Sequence, residues 1–285
     1  MVVLSIVLTA IWGLRFGIDF TGGSLLEVKM TKVTSINAIN DSLADLKLNS
    51  LSIQPSDTSY ILRFQENTEE VHQNIITRLE KLNDNQPVEE LNFTAIGPSI
   101  GKEMQRKAIT AIILVLIAIS AYIAFAFRKV SQPVTSWKYG IVTLVALFHD
   151  AIIAIGFFAI LGHFWGIEVN TSFIAAVLTV IGFSVHDTIV VFDRIRENLP
   201  KSRETFELTV NKSINQTLTR SINTSLTVLL VLLCITLLGG ASIKYFAMAL
   251  LVGIFFGTYS SIFLASPLLV VWERFKASQV VIKKK

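Results

Sequence analysis

IGFSVHDTIVVFDRIREN, residues Ile181 to Asn198, begins as a membrane span and ends in a cluster of charge. Its apolar part contains Asp187, and a carboxylate at membrane depth costs several kcal/mol unless it is protonated, paired or hydrated. Asp193 and Arg194 mark where the helix leaves the hydrocarbon. Asp187, Val190, Val191 and Arg194 recur at i, i+3, i+4 and i+7, so Asp187 and Arg194 share one face, about 10 Å apart along the axis. The acid therefore lies in the inner half of the span, within reach of a water-filled vestibule. Desolvation and a nearby cation act on a carboxylate in opposite directions, so a balanced one can titrate near neutral pH, as a proton relay requires. The blander reading is that Asp187 hydrogen-bonds a neighbouring helix and never changes charge.

Composition sets the class around this segment. The chain has 285 residues, 16% charged, and a mean hydropathy of +0.60. That is an integral membrane protein with room for one soluble module. The net charge of +4 is no nucleic-acid signal: residues 24–96 are acidic, and most bases cluster in short loops beside the spans. The one cysteine, Cys234, lies in an apolar run, so no intrachain disulfide is possible.

Upstream, Val2 to Leu14 is apolar but makes only about 20 Å of helix against roughly 30 Å of hydrocarbon. A signal peptide is one reading, yet there is no basic n-region or small-residue cleavage site. A first transmembrane helix whose cytoplasmic start is missing is the preferred expectation. GIDFTGGS, Gly17 to Ser24, follows; Gly22 and Gly23 permit positive φ or close backbone approach where a strand can begin. Leu25 to Met30 alternates as a strand. Ile36, Ile39, Leu43 and Leu46 have helical spacing behind the possible caps Thr34 and Ser35. Strands at Leu51 to Gln54 and Tyr60 to Phe64 flank a turn at Pro55, Ser56 and Asp57. Val71 to Leu82 is a second helix and Val88 to Ile96 a last strand. This βαββαβ order predicts a small ferredoxin-like α+β domain. GPSIGKEMQRK, Gly97 to Lys107, is no phosphate loop: three residues rather than four separate its glycines, and Glu103 follows Lys102. It reads as a basic amphipathic start of a membrane helix.

Long apolar runs follow at Ala108 to Phe127, Tyr139 to Gly162, Thr171 to Phe192, about Thr217 to Gly239, and Tyr245 to Trp272, each long enough to span. Arg128, Lys129 and Lys138, then Arg194, Arg196, Lys201, Arg203 and Lys212, then Arg274, Lys276 and Lys283 to Lys285 lie on one side, while the opposite loops hold one lysine. The positive-inside rule then puts both termini in the cytoplasm and the soluble domain outside. The expected organisation is a first transmembrane helix at 1–14, an extracytoplasmic domain with linkers at 15–107, a five-helix bundle at 108–275 and a basic cytoplasmic tail at 276–285. In all, six transmembrane helices are expected. On the last span Ala249, Gly253, Gly257, Ser261 and Ala265 repeat every four residues, a small-residue ridge for close helix packing.

Other polar groups share the bundle. His149 and Asp150 sit mid-span, His186 sits beside Asp187, and Arg220 lies at the cytoplasmic start of the fifth span. A metal is not expected, because adjacent His and Asp point about 100° apart on a helix and cannot all converge on one ion. Asp150 and His149 read equally well as structural or functional. Arg220 is either an ordinary inside-facing cation or the counter-charge that lets Asp187 ionise.

GIDFTGGS, IGPSIGKEMQRKA, LFHDAIIAIGFFAILG, FIAAVLTVIGFSVHDTIVVFDRIREN, NQTLTRSINTSLTVLL and GTYSSIFLASPLL, in that order over nearly the whole chain, resemble the SecF family of bacterial protein export. The related SecD proteins usually read DLRGG where this chain has Asp19, Phe20, Thr21, Gly22 and Gly23, and DANV where it has Asp187 to Val190. The resemblance places the chain among the proton-driven resistance-nodulation-division machines. It implies a six-helix subunit that pairs with SecD, associates with the SecYEG channel in the bacterial inner membrane, and promotes late preprotein translocation with the proton or sodium gradient. It implies no cofactor, no metal and no enzymatic reaction. Asp187 matches the family's transmembrane acid and Arg220 its partnering arginine; His186 stands where the family more often has Asn, and a second titratable group there could join the relay or only donate a hydrogen bond. A small-molecule or lipid exporter would carry a similar acid but needs both transporter halves and larger exterior domains. A non-transducing scaffold would tolerate loss of Asp187 and Arg220.

Overall fold

The computed structural model describes residues 1–32, 34–56, 59–128 and 134–283. The first apolar run forms helix α1 (Val2–Trp12), ended by Gly13 at φ +68°. A single turn, α2 (Ile18–Thr21), leads through Gly22 into strand β1 (Gly23–Lys29). Helix α3 (Ile36–Leu43) starts at Ser35, whose hydroxyl accepts the Ala38 N–H at 3.3 Å as an N-cap. It tightens into a 3-10 turn at Ala44–Leu46, and strands β2 (Ser52–Ser56) and β3 (Ser59–Phe64) follow. Helix α4 (Glu69–Leu82) and strand β4 (Glu89–Ile96) complete this part. Five long helices carry the apolar runs: α5 (Pro98–Ala126), α6 (Ser136–Trp165), α7 (Thr171–Asn198), α8 (Phe206–Leu238) and α9 (Ala241–Ser260), the last continuing through a π-helical segment, Ser261–Ala265, into α10 (Ser266–Lys283).

The chain divides into two compact units. The first comprises 1–15, 110–167 and 172–285, and the second 16–109 and 168–171. In the second, the strands form one antiparallel sheet in the order β2-β3-β1-β4, with a register shift in β1 between Glu27 and Val28. Alternation puts Leu26 and Val28 on one face, where α3 and α4 bury them with Ile39, Leu43, Leu62, Phe64, Ile75 and Leu79. Pro55, expected in a turn, lies inside β2 opposite Tyr60. An edge strand accommodates it, because one row of its backbone groups needs no ladder partner. Asp57 of that expected turn, and Lys129, Lys284 and Lys285 among the expected loop and tail bases, lie outside the described residues.

Among the described residues five helical stretches are long and apolar enough to cross a membrane: Pro98–Ala126, Ser136–Trp165, Thr171–Lys201, Phe206–Leu238 and Ile243–Phe275, while α1 is a shorter apolar helix. α1 packs on α6, and α9 packs on both α6 and α8. Tyr139, Phe192, Phe127, Ile195 and Leu269 form the buried core at one end, with Tyr139 stacked on Phe127 and edge-on to Phe192. The last span is not one regular helix. Pro267 has no N–H for the carbonyl four residues back and its ring crowds that carbonyl, so the turn just before it widens.

Candidate functional site

Two carboxylates lie buried among α6, α7, α8 and α9. Asp187, on α7, is 2% exposed. Its Oδ2 accepts from Ser225 Oγ of α8 at 3.2 Å and from Thr258 Oγ1 of α9 at 3.2 Å, and those hydroxyls are 2.7 Å apart. Asp150, on α6, is fully buried. Its Oδ2 accepts from Ser184 Oγ of α7 at 2.5 Å and Ser260 Oγ of α9 at 2.8 Å, and its Oδ1 faces His149 Nδ1 at 2.8 Å. Hydroxyl donors from facing helices are the compensation a carboxylate needs when water is removed. Each of these donors carries one proton, so the pattern of bonds depends on whether the carboxylate does.

The close approach of the helices follows from small residues. A Cβ on Gly253 would overlap the Val180 side chain, and one on Gly257 would sit 3.0 Å from Ser184 Cβ. Ser261 is buried on the same stretch. The ridge read from the sequence is thus where α9 meets α7, although the π segment breaks its four-residue repeat after Ser261.

His186 Nδ1 is 3.8 Å from Asp187 Oδ1, while the rest of its side chain is largely exposed, at 64%. Arg220 is exposed, and among the described residues it forms no ion pair with Asp187. Arg194 donates to Gln216 Oε1 and to Glu197 Oε2, each at 2.6 Å, which ties the charged ends of α7 and α8 together. Among the described residues no three His, Cys, Asp or Glu side chains converge as metal ligands.

The glycine motif does separate work in the second unit. Gly22 and Gly23 adopt φ of +78° and +125°, and a Cβ on either would fall 2.7 Å from Pro98 Cα or 2.5 Å from the Phe64 carbonyl. Gly101, one of the glycines that imitate a phosphate loop, packs on the same turn, with its Cβ position 2.8 Å from Gly22 N. Asp19 Oδ2 accepts from the Thr171 backbone N–H at 2.8 Å and its hydroxyl at 2.6 Å.

The hydroxyl partners of the two acids escaped the sequence reading. One signal was available: Thr209, Ser213, Thr217, Ser221 and Ser225 repeat every four residues along α8, and all five are buried. A hydroxyl stripe in an apolar helix marks the face that meets polar groups on its neighbours.

The comparisons with known proteins agree with this architecture. The profile of the family described as "Protein export membrane protein SecD/SecF, C-terminal" matches residues 76–275, and that of the "SecD/SecF GG Motif" matches 10–32. The protein translocase subunit SecF of Thermobaculum terrenum is 44% identical over 281 residues, covering 92% of this chain and 86% of that one. SecF of Anaerolinea thermophila is 41% identical, covering 96% and 89%. The crystal structure of SecDF from Thermus thermophilus, a translocon-associated membrane protein, superposes with a TM-score of 0.82 at 33% identity. That match covers 96% of this chain but only 36% of the SecDF chain.

Proposed function

The chain belongs to the SecF family of protein translocase subunits, and from that premise we propose that it uses a transmembrane ion gradient to promote late steps of preprotein export through the bacterial inner membrane. It acts as an accessory subunit and not as an enzyme. The observation that carries the reading is Asp187: a carboxylate that is buried, held by hydroxyls of two other helices, and without a Lys or Arg ion pair among the described residues, with His186 Nδ1 3.8 Å away. Protonating it reverses a hydrogen bond between helices. A proton crossing 100 mV releases about 2.3 kcal/mol, enough to bias packed helices between two arrangements. His186 and Arg220 are the groups that tune this step from the exposed side. Sodium in place of the proton is the same scheme with another ion.

The finer architecture belongs to this reading. α1 serves as the sixth span, with 1–14 as first helix, 15–107 as the extracytoplasmic domain, 108–275 as the bundle and 276–285 as the cytoplasmic tail. The bases of the loops support a cytoplasmic position for both termini. The sheet order and its two helices support a ferredoxin-like domain. The exposed apolar side chains of α5, including Ile109, Ile113, Leu114 and Ile117, support burial in lipid or against a second helical bundle. The SecDF likeness supports SecD as that bundle, with SecYEG and the emerging preprotein as the further partners.

Preprotein export into vesicles containing the partner subunits, with ATP constant and the gradient imposed or collapsed, tests the coupling. Wild type is expected to speed up with the gradient, and Asp187→Asn to assemble normally but not respond. Equal response of both makes the acid structural and the subunit a scaffold.

A further inference from the structure

Ser260 Oγ has one proton and two acceptors in reach: Asp150 Oδ2 at 2.8 Å and the Gly257 carbonyl at 3.0 Å. When Asp150 is ionised, Ser260 donates to it. When Oδ2 carries a proton, that O–H donates to Ser260 Oγ, and the serine proton turns to the Gly257 carbonyl. Two residues earlier, Thr258 faces the same choice between Asp187 Oδ2 at 3.2 Å, Ser225 Oγ at 2.7 Å and the Ile254 carbonyl at 3.0 Å. Both rotors and both alternative carbonyls lie within about two turns of α9, directly before the π segment, whose first N–H already uses the Gly257 carbonyl. π segments hold a helix where its ladder can shift register.

We propose that Asp150 is a second proton-holding residue, which sets the proton occupancy of Asp187 through the Ser260 and Thr258 hydroxyls of α9. This rests on Asp187 as the coupling acid and assigns Asp150 a positioning role toward it. The geometry ties Asp150 to both helices that matter. Ser184 is one turn before Asp187 on α7, and Ser260 is two residues after Thr258 on α9. A residue kept only for packing would not need a fully buried carboxylate with donors from α6, α7 and α9 at once, since an apolar or amide side chain of similar size fills the space without that desolvation. Among the described residues, the titratable groups beside the pair are His149 on α6 and His186 on α7; α8 gives the hydroxyl of Ser225, with Arg220 exposed further along it, and α9 offers hydroxyls and the exposed Tyr259. Two linked carboxylates lose protons as a pair and not as independent sites.

Infrared difference spectroscopy across a pH titration, following the carboxyl C=O stretch of the full chain in lipid vesicles, tests this. Among the high-frequency C=O bands that mark buried protonated carboxyls, apart from those of the exposed Asp and Glu side chains, wild type is expected to show two titrating groups. Asp150→Asn should remove one and move the midpoint of the other by about one pH unit or more. Ser260→Ala, which keeps both acids, should move the Asp187 midpoint as well, and it remains informative if Asp150→Asn does not fold. One titrating group among those buried-carboxyl bands in wild type, or an Asp187 midpoint unmoved in Ser260→Ala, overturns the inference. The spectroscopic readout does not depend on export. A wild type that ignores the gradient therefore counts against the functional reading alone.

Discussion

Asp187 is visible in the sequence because its charge contradicts its surroundings, but the groups that hold it are not. Ser225 and Thr258 are 38 and 71 residues away, and serine and threonine in apolar helices usually bond their own backbone, so neither signals a partner. Asp150 was likewise legible as a polar residue in a span, and its fully buried network with Ser184 and Ser260 was not. Asp19 was read as part of a glycine turn, and its bonds to Thr171 bring together residues 152 apart. Asp19→Ala is expected to cost about 1 kcal/mol, as a lost helix cap does, measured as a lower unfolding midpoint in detergent. In α4 the Gln73 amide, and next His72, hold the Glu69 carboxyl below its usual range. A folded-state pKa lowered in this way adds stability that is present above the unfolded pKa and lost as pH falls through the folded one. Glu69→Gln should therefore lower the unfolding midpoint on the neutral side, leave the acid side nearly unchanged, and so lessen the fall between them.

At the scale of elements, hydropathy located the long spans because about 20 apolar residues in a row leave few alternatives. The small-residue ridge on the last span was also readable, whereas the π segment was not: it depends on how Pro267 loosens the turn before it. The ridge has a sharp consequence. Gly253→Val must push Val180 aside and is expected to destabilise the bundle by about 1–3 kcal/mol, seen as a lowered thermal midpoint. The double variant with Val180→Ala should recover part of that loss; no recovery would place the clash elsewhere. In the sheet, alternation identified β1 and β3, while Pro55 misled the reading of β2 because a sequence does not announce which strand lies at an edge.

For the whole molecule, the second unit has its own buried core and its own closed set of strand pairings, so it should fold when expressed alone. In that isolated domain Leu26→Ala, which empties a site at 0% exposure, is expected to cost about 2–5 kcal/mol in urea unfolding. Failure of the wild-type domain to unfold cooperatively would count against its independence. Membrane character, the long spans, the βαββαβ order and the positions of Asp150 and Asp187 were all readable from the chain, because each depends on composition or spacing along a single segment. The pairing of those acids with particular hydroxyls, the exposure of His186, and the π turn beside Thr258 and Ser260 came from packing. They depend on the rotation and depth of each helix against its neighbours, and periodicity within one helix does not contain that information.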